Sequence, residues 1–331
     1  RSTPLYSSAA SDVYKRQIET GSADAGVLMP FNSSEYPEEI RNVGIALSTD
    51  HNPRFGMIDP YWCGVNAVVE AMRNVASVGA TPHAVSDCLC YGNPEKPEQM
   101  WAFVEGVRGI NDACKTITLK HSPENPTPII AGNVSFYNES KNKSIPPSPI
   151  VSCLGKIKNV KKTVTMSFKE EGSSIIMIGQ RKDELGGSIF YSLYNEVGRK
   201  LPKPDLSEVK NQIYAITDCI DQELVLACHD ISEGGVATAL AELTFGNAIG
   251  LTVNIDSNLS KHKILFSETG GFILEAKNNQ IELIRSIFES HNLNLYIIGQ
   301  TGGERIKINK DGARFVCSSA LTWWQRIYSS S

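Results

Sequence analysis

The chain lacks the signatures of the common nucleotide and hydrolase folds. It contains no Walker A loop, no Gly-x-Gly-x-x-Gly fingerprint and no Gly-x-Ser-x-Gly elbow, and His229 belongs to no His-Glu-x-x-His pair. Its eight cysteines include no Cys-x-x-Cys, which removes the usual zinc and redox spacings. Cys88 and Cys90 are read as facing opposite ways in a strand-like run, and so as unfit to share a metal. Buried, reduced thiols in a cytosolic protein are the expectation. No run approaches the roughly 20 apolar residues that span a bilayer, so no membrane partner is expected. Positive charge is not in excess: 32 Lys and Arg stand against 36 Asp and Glu, a net charge of −4. The one dense basic group, Lys156, Lys158, Lys161 and Lys162, reads as a solvated face, and nucleic acid is not expected as a partner. No short-period repeat is evident.

What remains is an ordinary globular composition, 41% hydrophobic and 21% charged over 331 residues, enough for one large domain or two moderate ones. Strands and helices alternate. Val43–Ser48 reads as an apolar strand. Asp59-Pro60 opens a helix, a capping carboxylate before a proline at the first helical position. Val65, Val68, Met72, Val75 and Val78 follow at helical spacing, and Gly79 suits the terminal cap. Ala84–Tyr91 is a strand, and Pro97 starts a helix through Cys114. A polar loop, 121–128, precedes strands at 129–131 and 150–154. The polar segment Lys156–Gly172 is placed as a domain junction. Beyond it come strands at 175–179, 224–228, 251–255, 271–275 and 295–299. Helices are expected from Gly186-Gly187 to near Arg199, and at 206–220, 233–245 and 280–291. The pattern is α/β in two layers. Residues 1–17 and the tail after Cys317 show no register, and are read as foreign or frame-shifted sequence.

Polar, glycine-bearing segments sit at the strand ends, where ligand crevices commonly form. Ser48-Thr49-Asp50-His51-Asn52-Pro53-Arg54 is either such a segment or a turn. Asp87 interrupts an apolar strand, costly unless it is paired or holds a ligand, and leads into Gly92-Asn93-Pro94-Glu95-Lys96-Pro97-Glu98, which is also helix-start chemistry. In Gly132-Asn133-Val134-Ser135-Phe136-Tyr137-Asn138-Glu139, the glycine permits close approach of a ligand. Asn133 and Ser135 share a face if the strand continues. Oxygen ligands of this kind suit magnesium. In His229-Asp230-Ile231-Ser232-Glu233-Gly234-Gly235, Asp230 or Ser232 caps the next helix, or the helix start faces phosphate. Asp24 precedes an apolar stretch, on a loop or as a metal ligand.

In order and combination these segments, with Asp59-Pro60-Tyr61-Trp62 and Glu184-Leu185-Gly186-Gly187-Ser188, resemble the second repeat of the phosphoribosylformylglycinamidine synthase family over about residues 20–315. The strings at 92–98 and 132–139 are the most specific. The acid-bearing strand and the His-Asp-Ile-Ser-x-Gly-Gly element are shared with aminoimidazole ribonucleotide synthetase and related enzymes. The resemblance implies one repeat of the aminoimidazole ribonucleotide synthetase-like fold, mixed α/β. A smaller barrel-forming part, 18–158, would precede a larger part, 159–316, with 317–331 a tail of doubtful origin.

The family converts formylglycinamide ribonucleotide, ATP and glutamine-derived ammonia to formylglycinamidine ribonucleotide through an iminophosphate, as an ATP-dependent C–N ligase of purine biosynthesis. Carried over by position, Asp87 and Gly132 match ATP contacts, Asn133 a magnesium ligand and Ser135 a substrate contact. Asp24, Asp230 and Glu268 are candidates for a second, structural nucleotide pocket. No catalytic base is assigned. The family's first repeat holds its base in a His-Asn-His-Pro string, whereas this chain reads Asp50-His51-Asn52-Pro53, and asparagine is no base near neutral pH. The chain is therefore expected to be inactive alone, and to need a first synthetase repeat and a glutaminase domain or subunit. A stand-alone superfamily kinase and a non-catalytic nucleotide-binding subunit are the alternatives. The smaller part is expected to expose a sheet edge or apolar face that the other repeat covers. A His-Asn-His-Pro string is expected in the genomic sequence upstream of residue 18. Sequencing that region checks it, and an unrelated reading frame there would contradict the assignment.

Overall fold

The structure, a computed structural model, describes residues 23–141, 143–310 and 313–317. The expectations for residues 1–17 and for the tail from 318 onward lie outside the described residues. In chain order the first half comprises β1 (Gly26–Leu28), β2 (Gly44–Asp50), α1 (Pro53–Gly56), α2 (Pro60–Ser77), β3 (Thr81–Cys90), α3 (Pro97–Thr116), β4 (Thr118–Leu119), β5 (Ser122–Pro126), β6 (Ile129–Ser135), β7 (Glu139–Ser140), β8 (Lys143–Ser144) and β9 (Ser148–Ile157). Asp59 caps α2 as expected, accepting hydrogen bonds from the N–H groups of Tyr61 at 3.0 Å and Trp62 at 3.3 Å. Gly79, just past its end, takes a positive φ of 88°.

Five strands form one sheet in the order β1-β2-β9-β3-β6. Only the β3–β6 pair is parallel. Side chains alternate across a strand, so Ala46, Val85, Leu89, Val151 and Cys153 join Val65, Val68, Met72 and Val75 of α2 in a buried core. The opposite face carries Leu47, Thr49, Cys88, Cys90, Asn133, Ile150 and Ser152, all exposed or half-buried. Ile129, Ile130 and Val134 on the edge strand β6 are exposed too. This is the uncovered face and edge expected of a barrel half.

The second half comprises β10 (Ser174–Ile178), α4 (Ile189–Ser192), α5 (Leu206–Asp221), β11 (Ala227–Ile231), α6 (Gly235–Glu242), β12 (Leu251–Asn254), α7 (Lys261–Phe266), β13 (Gly271–Ala276), α8 (Ile281–Ser290), β14 (Tyr296–Thr301), β15 (Ile306–Lys310) and β16 (Ala313–Cys317). Its strands run β11-β13-β10-β14-β12-β15-β16, antiparallel except for β12–β15. Ile176, Ile178, Phe272 and Leu274 point to the side of α5 and α8 and merge with the core of the first half. Ile175, Met177 and Ile273 point the other way, into a second core with Val236, Leu240, Ile264 and Leu265 of α6 and α7. Central strands covered on both faces are apolar throughout.

Several expected elements differ. The helix from Gly186 toward Arg199 shrinks to α4, because Gly187, Asn195 and Gly198 take positive φ. The chain then folds back, with Gly186 N–H bonded to Lys200 O and Gly187 N–H to Val197 O. The polar loop 121–128 holds β5, which pairs with β4. β6 continues to Ser135, four residues past its expected end at Ala131. The strand expected at 224–228 starts at Ala227 and ends at Ile231, so His229 and Asp230 lie inside it. The residue before α6 is Gly234, with no side-chain cap, which removes Asp230 and Ser232 as helix caps. α7 and the β15–β16 hairpin were not anticipated. Cys88 and Cys90 do not face opposite ways: residues two apart in a strand share a face, and their sulfurs lie 3.8 Å apart.

Phe272 is fully buried at the seam between the halves. Phe272→Ala is expected to destabilise the chain by about 3–5 kcal/mol, read as a lower urea midpoint. An unchanged midpoint would contradict a continuous core.

Candidate functional site

The first candidate region lies at the carboxyl ends of the parallel pair β3 and β6. Asp87 is the register partner of Gly132, and Cys90 that of Ser135. A Cβ on Gly132 would lie 2.4 Å from Asp87 Oδ1, so the missing side chain makes room for that carboxylate. Burial raises the Asp87 pKa above its ordinary value. Asn133 and Ser135 face the other way, onto the uncovered side.

Past the strand ends the two specific strings pack on each other. Tyr91 N–H bonds Ser135 O at 3.0 Å and Tyr137 N–H bonds Gly92 O at 3.1 Å. The Asn138 amide donates to Tyr91 O at 3.0 Å and to Ser135 Oγ at 3.1 Å. Lys96 pairs with Glu139 at 2.6 Å, and that bond with one from Ser144 lowers the Glu139 pKa. This contact is exposed on both sides and fixes register more than it adds stability.

The second region is a buried acidic cluster at the seam. The end of β2 brings Asp50, the residues before β1 bring Asp24, and β11 brings His229 and Asp230. α2 supplies Glu70, Arg73 and Asn74. Asp24 Oδ1 lies 2.6 Å from His229 Nδ1 and Asp24 Oδ2 accepts from Asp230 N–H at 3.0 Å. The other ring nitrogen of His229 meets Glu242 at 2.9 Å. Arg73 Nε approaches Asp230 Oδ2 at 3.6 Å, and Asn74 donates to Asp50 at 3.0 Å.

Burial is the largest influence on these acids. It lifts Asp50 to about 6 against the pull of Asn74 and Arg73. Burial, then the nearby Asp24 charge, lifts Asp230 to about 7. Glu70 is held well above its ordinary value by burial and then by Asp230 and Asp50. Burial opposes charge on His229 as well, yet Asp24 and Glu242 outweigh it and keep the ring pKa well above the ordinary one.

Ligand atoms of Asp24, His229 and Asp230 all lie within 4.8 Å of one another, and the buried Asp230 Oδ2 has no hydrogen-bond partner. Several carboxylates facing one arginine and one histidine make a donor set suited to a divalent cation. Beside the cluster, Glu268 Oε1 accepts from Gly234 N–H at 2.9 Å and from Ile189 N–H at 2.7 Å. A carboxylate thus fills the start of α6, where the helix dipole favours negative charge. Burial still lifts it to about 7.

The AIR synthase related protein N-terminal domain model matches residues 22–157, and the corresponding C-terminal domain model matches residues 170–310. The chain belongs to the AIR synthase-related family. It is 42% identical over 302 residues to the phosphoribosylformylglycinamidine synthase subunit PurL of Methanothrix thermoacetophila, covering 90% of this chain and 38% of that protein. It thus spans about two fifths of the length of such relatives. Thermotoga maritima PurL complexed with FGAR superposes with a TM-score of 0.74 at 18% identity, over 94% of this chain and 49% of that one. The same protein complexed with ATP gives 0.66 at 19%, over 84% and 44%. At that identity the likeness shows the fold.

The residues singled out from sequence thus fall into two places. Asp87, Gly132, Asn133 and Ser135 gather at one sheet end, although Asp87 and Asn133 lie on opposite faces. Asp24 and Asp230 meet in the acidic cluster, with Glu268 beside it. Asn52 is buried and accepts from Arg54 N–H at 3.1 Å, a capping role. Sequence reasoning missed Glu70, Arg73 and Asn74, which look like ordinary helix polars. Their signal was position: within α2 they interrupt a run of apolar residues.

In divalent-free buffer, stability is expected to fall as the pH rises from about 4, where unfolded carboxyls titrate, to about 7, the upper end of the folded values of Asp50, Asp230 and Glu268. A carboxyl whose pKa is raised by folding stabilises fully below its unfolded pKa and loses that contribution as pH passes the folded value. The raised His229 acts with the same sign. At about 1.4 kcal/mol per pKa unit the loss is on the order of 3 kcal/mol per group, and Glu268→Gln removes part of it. Melting temperatures across this window check the expectation; a flat profile would contradict it.

Proposed function

We propose that the chain is the second synthetase repeat of phosphoribosylformylglycinamidine synthase and supplies half of a composite site. That site makes formylglycinamidine ribonucleotide from formylglycinamide ribonucleotide, ATP and glutamine-derived ammonia, in the cytoplasm. The observation that carries this reading is the packing of the strings 92–98 and 132–139 around one sheet end. It brings Asp87, Gly132, Asn133 and Ser135 together beside an uncovered face.

In this reading residues 18–158 form the barrel half and 159–316 the larger part. Asp87 and Gly132 receive ATP, with Gly132 leaving the backbone open to close approach. Asn133 offers an amide oxygen to magnesium, which needs one or two protein ligands beside phosphate and water. When bound, magnesium neutralises phosphate charge as the amide oxygen of the substrate is phosphorylated. Ser135, its hydroxyl steadied by Asn138, orients the ribonucleotide. Ammonia from a glutaminase partner then displaces phosphate. The base comes from the first repeat, because Asn52 cannot serve.

A second reading concerns the acidic cluster. Asp230 Oδ2, which accepts no hydrogen bond and meets only Arg73 at 3.6 Å, favours a structural nucleotide pocket in which Asp24 and Asp230 hold the cation of a metal-bound phosphate.

Combining the chain with a first repeat and an ammonia source is expected to give ADP formation that depends on formylglycinamide ribonucleotide. Asp87→Asn and Asn133→Ala should each lower kcat on the order of a hundredfold, with the chain alone inactive. ATP turnover by the chain alone would favour the stand-alone kinase. ADP binding without turnover in the completed assembly would favour a non-catalytic subunit.

A further inference from the structure

The uncovered face of the first sheet carries a pair of thiols that neither the fold nor the proposed reaction uses. Cys88 and Cys90 are both half-buried. Cys63, Cys114, Cys153, Cys219 and Cys228 are buried. Cys88 and Cys90 stand two apart on β3, so both sulfurs project from one face, 3.8 Å apart. Two thiolates bound to one tetrahedral zinc at about 2.3 Å each lie about 3.8 Å from one another. The spacing already matches the edge of such a tetrahedron, with no rotamer change. A disulfide, by contrast, needs about 2.05 Å, a closure the strand does not present.

The surroundings add oxygen donors. Asn133 is the register partner of Cys88 and Ser135 that of Cys90 on β6, while Ser148 stands opposite Cys90 on β9. Thiolate donors select soft cations over magnesium.

We propose that Cys88 and Cys90 form a chelating dithiolate site for a soft divalent cation of the zinc and cadmium class. Binding forms two metal–sulfur bonds and releases the two thiol protons to solvent. Two protein sulfurs leave the remaining positions to water or to an oxygen of Asn133 or Ser135, so the site is open. The site stands on strand geometry alone. Only its consequence for turnover, interference by a cation seated opposite Asn133 and Ser135, rests on the reading in the preceding subsection.

The test is a cadmium titration of the full chain carrying Cys317→Ser, under a phosphine reductant, read by the ultraviolet thiolate-to-cadmium charge-transfer band. A one-to-one band is expected. Cys88→Ser and Cys90→Ser should each weaken it by more than about a hundredfold, beyond the usual loss of an outer-shell partner. Asp24→Asn should leave it intact, separating this site from the acidic cluster. Without any substitution at the pair, zinc should protect both thiols together from alkylation, as mapped by mass spectrometry. A band that survives both single substitutions, no band at all, or alkylation indifferent to zinc would overturn the site. Zinc binding without effect on the completed enzyme would leave the site standing and count against the assigned role of Asn133.

Discussion

The structure turns on the burial of α2 between two sheets. One side of this helix packs on β2 and β9, another on α3, and another on α5 and β11. Its sequence is accordingly apolar nearly all round, as a helix covered on every side must be. The exceptions near its middle are Glu70, which is half-buried, and Arg73 and Asn74, which are buried.

From this constraint follows the contrast between the two polar regions. At the seam, charge is concentrated where solvation is poor, so carboxyls rise in pKa and a histidine is held by its acidic neighbours. The arrangement suits a cation and costs stability when none is there. At the carboxyl ends of β3 and β6 the polar groups are better solvated, and backbone hydrogen bonds between two loops set their positions. The first region is shaped by burial and the second by register.

Much of this is legible in the sequence. The strong helices were readable because capping residues and helical spacing agree, as at Asp59-Pro60 and Pro97. The segment from Gly132 to Ser135 stands out as a string of glycine, asparagine and serine, but its continuation of β6 past Ala131 was not legible. The helix expected after Gly186 failed because two glycines and Asn195 take backbone angles that periodicity does not register. His229 and Asp230 were misplaced since buried carboxylates look like loop residues until their partners are known. Those partners, Asp24 and Arg73, are distant in sequence, and no local pattern announces such contacts. The cysteine pair was misread for a simpler reason: a spacing of two in a strand keeps side chains together.

The alternation along β6 has a consequence for how this region can change in length. Gly132 must face Asp87 while Asn133 and Ser135 face the open side. A single inserted or deleted residue between Ile129 and Gly132 would exchange the two sets, turning the asparagine toward the helices and a side chain against the carboxylate. Changes by two residues would keep the faces but slide the pairing with β3. The loop beyond Ser135 is under no such parity rule. Among descendants of this sequence, length variation should therefore collect after the strand, in the short ladder of β7 and β8, and spare the strand itself.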